Sequence, residues 1–273
     1  MNAKREAARR AARAAGAFVE ERFLSGRMGK IAAKGRGDFV TEGDTSSERM
    51  IKEMLSAACP SIGFLAEETA EAQTNGEFWI IDPLDGTTNF IHGYPSIGVS
   101  IALMEAGRLT VGCVYDPLRR EIFEAETGGG AYLNGSPIRV SGAQSLETSL
   151  LGTGFPFNAP GYIDAYLGSF RDLFNGCRDI RRAGAAVLDL SHVAAGRLDG
   201  FWELSLKPWD MAAGALIVRE AGGVVSDFFG VDGFLETGNI VAASPALHAE
   251  MIELTSRHFT PESVAGLATH FLP

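Results

Sequence analysis

The sequence predicts a layered α/β fold whose first sheet is largely antiparallel, and three observations carry that prediction. Strand-like segments separated by tight turns fill residues 96–140. Beyond Leu150, short apolar strands alternate with helical stretches. No internal repeat, low-complexity tract or linker interrupts the 273 residues. Successive layers of helix and sheet in one compact unit, with lobes of about 1–147 and 148–273, are therefore expected.

The elements follow in order. Residues 3–24 read as an Ala-rich helix, with Ala7, Ala11, Ala14, Ala15 and Phe18 on one face. A loop is expected from Gly26 to Gly43, containing Lys34-Gly-Arg-Gly-Asp38. Asp44-Thr-Ser-Ser-Glu48 supplies capping residues ahead of the apolar positions Met50, Ile51, Met54 and Leu55, a helix start. Phe78–Ile81 is four large apolar residues in a row, a short strand buried on both faces. Ile97–Met104, Leu109–Tyr115, Glu121–Glu126 and Ala131–Val140 are strands of a meander, separated by Glu-Ala-Gly-Arg, Asp-Pro and Gly-Gly-Gly turns, with a further tight turn at Asn134-Gly135. A strand at Leu150–Gly154 leads to helices near Ile163–Phe174 and Ala185–Ala195. The strand Gly200–Leu204, the helix Met211–Ala221, the strands Val224–Ser226 and Ile240–Ala243, and a C-terminal helix close the chain.

Composition narrows the function. Hydrophobic content of 46% against 21% charged residues suits a globular protein. No apolar run approaches the roughly 18 residues that would cross a bilayer, and the N-terminus lacks the pattern of a secretory signal, so no membrane association is expected. Cys59, Cys113 and Cys177 are odd in number and far apart, which fits reduced thiols in a cytoplasm. The net charge of −10 is uneven: residues 1–36 carry ten Lys/Arg against three Glu, leaving −17 on the remainder. Such an acidic body disfavours nucleic acid, and the basic stretch reads as a solvated helix face.

The chemistry begins in Phe78-Trp-Ile-Ile-Asp-Pro-Leu-Asp-Gly-Thr-Thr-Asn-Phe90. A turn after the strand would bring Asp82 and Asp85, three residues apart, to one side. Two such carboxylates repel unless a proton or cation lies between them, and no Lys, Arg or His occurs from Phe78 to Phe90. All-oxygen ligands suit Mg²⁺, and Gly86-Thr87-Thr88 could point backbone N–H groups at an anion. Asp-Pro-x-Asp-Gly is also a good turn on its own. Other acidic positions are ambiguous singly. Glu67-Glu68 suits a solvated loop, Asp210 an N-cap, Asp44 a cap, and Glu203 the solvent side of an alternating strand. His92 suits a structural hydrogen-bonding role. No P-loop, His-Glu-x-x-His or Gly-x-Ser-x-Gly element is present, and neither the five histidines nor the cysteines show ligand or nucleophile spacing.

Taken in order, Glu67-Glu68-Thr69, Trp79 to Phe90, Lys207-Pro-Trp-Asp-Met-Ala-Ala-Gly214 and Glu220-Ala-Gly-Gly223 resemble the inositol monophosphatase family, bacterial members above all, from Lys34 and Asp44 through Ile240. The resemblance implies an α/β/α/β/α sandwich of the inositol monophosphatase and fructose-1,6-bisphosphatase type. It also implies Mg²⁺-dependent hydrolysis of myo-inositol monophosphate or a related small phosphorylated polyol, with two or three ions, lithium sensitivity and a homodimer. By position, Glu67, Asp82, Asp85, Asp210 and the Leu84 carbonyl would be metal ligands. Asp44 and Thr87, with Glu67, would activate water. Gly86, Thr87 and Thr88 would hold the phosphate, and Gly184, Ala185, Ala186, Glu203 and Asp210 would face the alcohol. Ala185 stands where many relatives carry Ser or Thr, so a hydroxyl contact is missing there.

Two rivals remain. A haloacid-dehalogenase-type phosphatase would show Asp-x-Asp-Gly-Thr, whereas here one more residue separates the aspartates, which favours water over aspartate as nucleophile. A regulatory binding protein could keep the fold and act through partners. Within the family, fructose-1,6-bisphosphate, a 3′-phosphoadenosine phosphate, histidinol phosphate or a nicotinamide dinucleotide phosphate are alternative substrates.

Overall fold

The structure is a computed structural model, and it describes residues 3–27, 29–35, 38–69 and 76–267. Helix α1 (Ala3–Ser25) is followed by a hairpin of β1 (Ile31–Gly35) and β2 (Asp38–Thr41), and then by α2 (Glu42–Ala58). The expected Gly26–Gly43 loop is thus largely a two-stranded ribbon; its Met28, Arg36 and Gly37, like His270, lie outside the described residues. Strands β3 (Gly63–Ala66) and β4 (Glu77–Asp85) precede the short helix α3 (Thr87–His92). The meander is β5 (Gly98–Glu105), β6 (Arg108–Asp116), β7 (Glu121–Glu126), β8 (Ala131–Leu133) and β9 (Ser136–Pro137). These form a seven-stranded sheet ordered β3 to β9, antiparallel except for the β3–β4 pair.

The second half holds β10 (Leu150–Thr153), α4 (Ile163–Gly176), β11 (Asp179–Arg181), α5 (Ala186–Ala194), β12 (Gly200–Leu204), α6 (Pro208–Glu220), β13 (Val224–Ser226), α7 (Phe234–Thr237), β14 (Asn239–Ala243), α8 (Pro245–Thr255) and α9 (Pro261–Val264). Its five strands pair in the order β11-β10-β12-β14-β13.

Strand alternation divides the core into layers. Trp79 and Ile81 of β4 face α1 and α2, packing with Ala8, Ala12, Ile51 and Leu55. Phe78 and Ile80, on the other face, join Val187 and Leu190 of α5, Met211 of α6, and Phe201 of β12. Trp202 and Leu204, on the far side of β12, pack with Tyr166 of α4 and Met251 of α8. The order is helix, sheet, helix, sheet, helix, and the middle layer is α5 and α6. The buried stripe of α1 runs through Ala8, Ala11, Ala12, Ala15 and Val19, about one residue round from the expected face; Ala7, Ala14 and Phe18 sit at its edge. Alanines occupy nearly every side of this helix, so periodicity alone fixes its phase poorly.

Candidate functional site

Regular alternation would send Asp82 and Asp85 to opposite faces of β4, since their separation is odd. Their partners on β5 are Ser100 and Gly98, two residues apart, so three steps on β4 match two on β5. The extra residue is a β-bulge, and it turns both carboxylates toward the middle layer. Pro83, which has no N–H for a ladder, is tolerated at such a bulge. One side is therefore reached inside the strand, rather than by a turn after it. Below the bulge, Leu84, Phe90 and Ile97 pack with Val19 as a separate apolar cluster that fixes the Gly86–Thr88 segment.

Each carboxylate is positioned by backbone. Leu84 N–H donates to Asp82 Oδ1 (3.0 Å), and Val187 N–H, in the first turn of α5, donates to Asp85 Oδ2 (2.8 Å). Asp210 is the third residue of α6, one turn past the expected cap position; it accepts from Lys207 N–H (2.7 Å). Ser100 Oγ donates to the Trp209 carbonyl (3.2 Å), pinning the start of α6 to β5. Glu203 shares the face of Phe201 on β12, so its carboxyl points into the middle layer and not to bulk solvent. It lies against Gly154, where a Cβ would come within 1.9 Å of Oε1. Carboxylates from both sheets thus converge where the N-termini of α5 and α6 begin, an end favourable to anions.

Asp44 is buried and is the N3 residue of α2, not its cap. Thr41 is the cap; its N–H donates to Asp44 Oδ2 (2.7 Å) in a capping box. Thr87 Oγ1 reaches Asp44 Oδ1 (3.0 Å) and the Leu84 carbonyl (3.2 Å). Ser47 Oγ donates to the Pro83 carbonyl (2.9 Å), fastening α2 to the bulge. Gly86 has φ of +88°, and a Cβ there would meet the Ser96 carbonyl at 2.7 Å, so the turn into α3 requires glycine.

Burial and charge act together on these groups. Burial, then the carboxylates of Glu67, Asp85 and Asp210, push Asp82 well above the usual carboxylate range. Asp85 is pushed up to about 7 by burial and Glu67, against the Val187 N–H bond and Arg182. Burial, then Asp189, Asp210 and Asp85, raise Glu203, with Arg182 opposing. Burial raises Asp44, with hydrogen bonds from Thr41 and Thr87 opposing. Four mutually repelling carboxylates and a backbone carbonyl are a hard oxygen donor set that a divalent cation would relieve. Among the described residues no three of them close into a ready-made metal cage; the donor chemistry, and not a preformed polyhedron, is what fits such an ion.

A cleft of about 580 Å³ gathers Asp85, Gly86, Thr87, Thr88, Gly184, Glu203 and Asp210 on its wall. Asp82, Leu84 and Asp44 lie buried near it, and Glu67 is felt electrostatically. Ala185 and Ala186 are not on the cleft wall; both pack in the core between the sheets. His92 is exposed in the last turn of α3 and makes no hydrogen bond to a described residue, contrary to the structural role expected of it. Three residues overlooked in the sequence shape the site. Asn89 Nδ2 reaches the carbonyls of Ser96 (2.8 Å), Ala183 (2.9 Å) and Gly184 (3.1 Å), tying α3 to the opposite wall. Buried Glu48 accepts from Glu68 N–H (2.8 Å) and Thr69 Oγ1 (2.9 Å), holding the segment that carries Glu67. Phe39, from the unexpected hairpin, lines the cleft. Asn89 was within the quoted motif; Glu48 and Phe39 had no local signal.

This arrangement is that of a phosphomonoesterase of the inositol monophosphatase fold, and the chain belongs to the inositol monophosphatase family, whose model matches residues 2–259. It is 46% identical over 245 residues to the Nus factor SuhB of Escherichia coli, covering 89% of this chain and 92% of that one. A solved structure of the extragenic suppressor protein suhB of Bartonella henselae superposes with a TM-score of 0.88 at 40% identity, over 92% of this chain and 97% of the other. An inositol monophosphatase from Anabaena gives 0.83 at 36%, over 93% and 95%. Members of this family are generally metal-dependent.

Proposed function

We propose that the protein hydrolyses myo-inositol monophosphate, or a closely related polyol phosphate, to the free alcohol and phosphate. The observation that carries this reading is the pair Asp82 and Asp85 turned by the bulge to one side, beside Gly86–Thr88 and across from Glu203. Glu67, Asp82, Asp85, Asp210 and the Leu84 carbonyl would hold Mg²⁺, as two or three ions. Bound there, the ions supply Lewis-acid stabilisation of the phosphoryl oxygens and lower the pKa of water. The backbone amides of Gly86, Thr87 and Thr88 hold the phosphate. Thr87 Oγ1, with its proton directed to Asp44 Oδ1 (3.0 Å), keeps a lone pair free to accept a hydrogen bond from the attacking water, so the Thr87–Asp44 pair would orient that water. Glu203 accepts hydrogen bonds from polyol hydroxyls, with Gly184 beside it.

A phosphate-release screen over inositol monophosphate and the alternative esters, with Mg²⁺ and with or without Li⁺, tests this reading. Turnover by the unaltered protein and none by Asp85→Asn is expected. Trapping a phosphoenzyme at Asp82 after acid quench would overturn water attack.

The names of the SuhB relatives favour a second reading, a regulatory role through a transcription partner, compatible with a cytoplasmic protein. Full biological function from Asp85→Asn would support it. A homodimer belongs to the first reading: Ile163, Leu167 and Phe174 form an apolar stripe on the outer face of α4, 38%, 42% and 60% exposed. A second copy would cover it.

A further inference from the structure

Among the described residues, four other than glycine adopt a positive φ: Ala106 (+49°), Arg120 (+55°), Asn134 (+50°) and Ser205 (+69°). The first three stand in tight turns of the meander, between β5 and β6, β6 and β7, and β8 and β9. Hairpin turns commonly demand that conformation. Ser205 has no such reason. It lies between β12 and α6, two residues beyond Glu203, on the wall of the cleft. The left-handed region crowds the Cβ of a serine against its own backbone, a cost that glycine would avoid.

The backbone around Ser205 is fixed from both sides. Glu203 and Leu204 pair with Ile240 and Asn239 of β14, and Leu206 N–H donates to the Gly238 carbonyl (2.8 Å). Lys207 N–H donates to Asp210 Oδ2 (2.7 Å). Residue 205 must therefore turn the chain from the strand into the helix that carries Asp210, whatever its side chain. Nothing inside the protein uses its hydroxyl, which bonds no described residue and is not sealed from the cleft. The other hydroxyls among the described lining residues, those of Thr87 and Thr88, belong to the phosphate loop. Ala185 and Ala186 lie in the core and offer none.

Strain that a fold retains at a cleft is commonly part of function. We infer that Ser205 is a specificity-determining residue whose hydroxyl bonds a hydroxyl group on the alcohol portion of the substrate, beside Glu203. The two side chains complement each other. A Glu203 carboxylate only accepts hydrogen bonds, whereas Ser205 both donates and accepts, so together they satisfy a hydroxyl group in both roles. The cleft then selects hydroxylated alcohols over apolar ones of the same ring size. This rests on the phosphomonoesterase reading above, which places the phosphate at Gly86–Thr88.

myo-Inositol 1-phosphate and cyclohexyl phosphate share a six-membered ring and differ in the ring hydroxyls, so the ratio of their kcat/KM values reads hydroxyl recognition. The expected ratio exceeds about a hundred in the unaltered protein. It falls about three- to tenfold in Ser205→Ala, the worth of one neutral hydrogen bond. Ser205→Gly lowers it equally, because both variants lack the hydroxyl, yet only glycine relieves the backbone. The urea midpoint of Ser205→Gly is accordingly expected above that of Ser205→Ala. An unchanged ratio in Ser205→Ala, a fall that Ser205→Gly does not share, or equal midpoints for the two variants would overturn the assignment. If neither ester is hydrolysed, calorimetric titration with both, in Mg²⁺, gives a binding ratio without turnover. A binding ratio that falls in Ser205→Ala keeps the assignment and sinks the phosphatase reading; an unchanged ratio, or no binding, overturns both.

Discussion

Glu203 and Gly154 form a lock made of one side chain and one missing side chain. A methyl group at residue 154 would fall 1.9 Å from Glu203 Oε1 and also within 2.1 Å of its carboxyl carbon, so the whole carboxyl must move. Gly154→Ala should lower kcat/KM on inositol monophosphate by about 10–100-fold, the effect of misplacing one substrate-orienting group. Glu203→Gln should cost a similar factor, and the double variant little more than either, because both remove the same placement. Steady-state kinetics on the three variants check this; additive losses would separate the two residues. A second residue-scale test concerns Glu48, whose carboxylate fixes Glu68 and Thr69. Glu48→Ala should raise the Mg²⁺ concentration needed for half-maximal activity about tenfold or more, as loss of an outer support of a metal ligand does. Most groups of the candidate site are legible in the sequence because they cluster in three short motifs. Glu48, Phe39 and Arg182 are not, since each acts through space on residues distant in the chain. The sequence reading of Asp210 and Asp44 as caps was off by one turn: both lie at N3, where a carboxylate reaches back to the cap N–H.

At the scale of elements, the two-residue periodicity that identifies strands also conceals the bulge, because an inserted residue looks like an ordinary strand position. Glu121–Glu126, Gly200–Leu204 and Val224–Ser226 have the same limits in sequence and structure, since turn residues or helix ends bound them. The β1–β2 ribbon reads as loop in the sequence because its residues are small, glycine-rich and charged. β3 and β11 are only four and three residues long, too short for a pattern to emerge. Layer spacing depends on glycine where an element meets backbone: a Cβ on Gly112 of β6 would stand 2.7 Å from the Ala213 carbonyl of α6. Backbone cannot rotate away as a side chain can. Gly112→Ala should therefore destabilise by about 1–3 kcal/mol, seen as a lower urea midpoint with unchanged m-value. The outer face of α4 makes an opposite case, with too little covering it. If the proposed dimer forms through this face, Phe174→Glu should shift sedimentation from dimer to monomer while leaving the unfolding free energy of the monomer within about 0.5 kcal/mol, as exposed substitutions do.

Across the molecule, buried ionisable groups make stability depend on pH in two opposing senses, and the middle layer contains both. Asp82, Asp189 and Glu203 are raised by burial; each takes up its proton more readily folded than unfolded, which favours the folded state as pH falls. His192 of α5 works the other way. Burial, then the nearby Arg197 and Arg119, lower its pKa from 6.5 to about 4, against the weaker pull of Asp116 and Glu121. Its Nε2 is buried without a hydrogen-bond partner, and its ring meets the edge of Phe123 at 6.1 Å, so the site accommodates a neutral imidazole. Between pH 6.5 and about 4 the unfolded chain binds this proton and the folded one does not, so stability falls as pH falls through that window. The full effect is at most about 3 kcal/mol. His192→Leu keeps the apolar contact with Phe123 and removes the proton site. Urea unfolding of both proteins from pH 7 to pH 4.5 should give a stability difference that grows in favour of the leucine variant as pH drops, while the carboxylate contributions cancel between them. A difference independent of pH would mean that His192 titrates alike in the folded and unfolded chains.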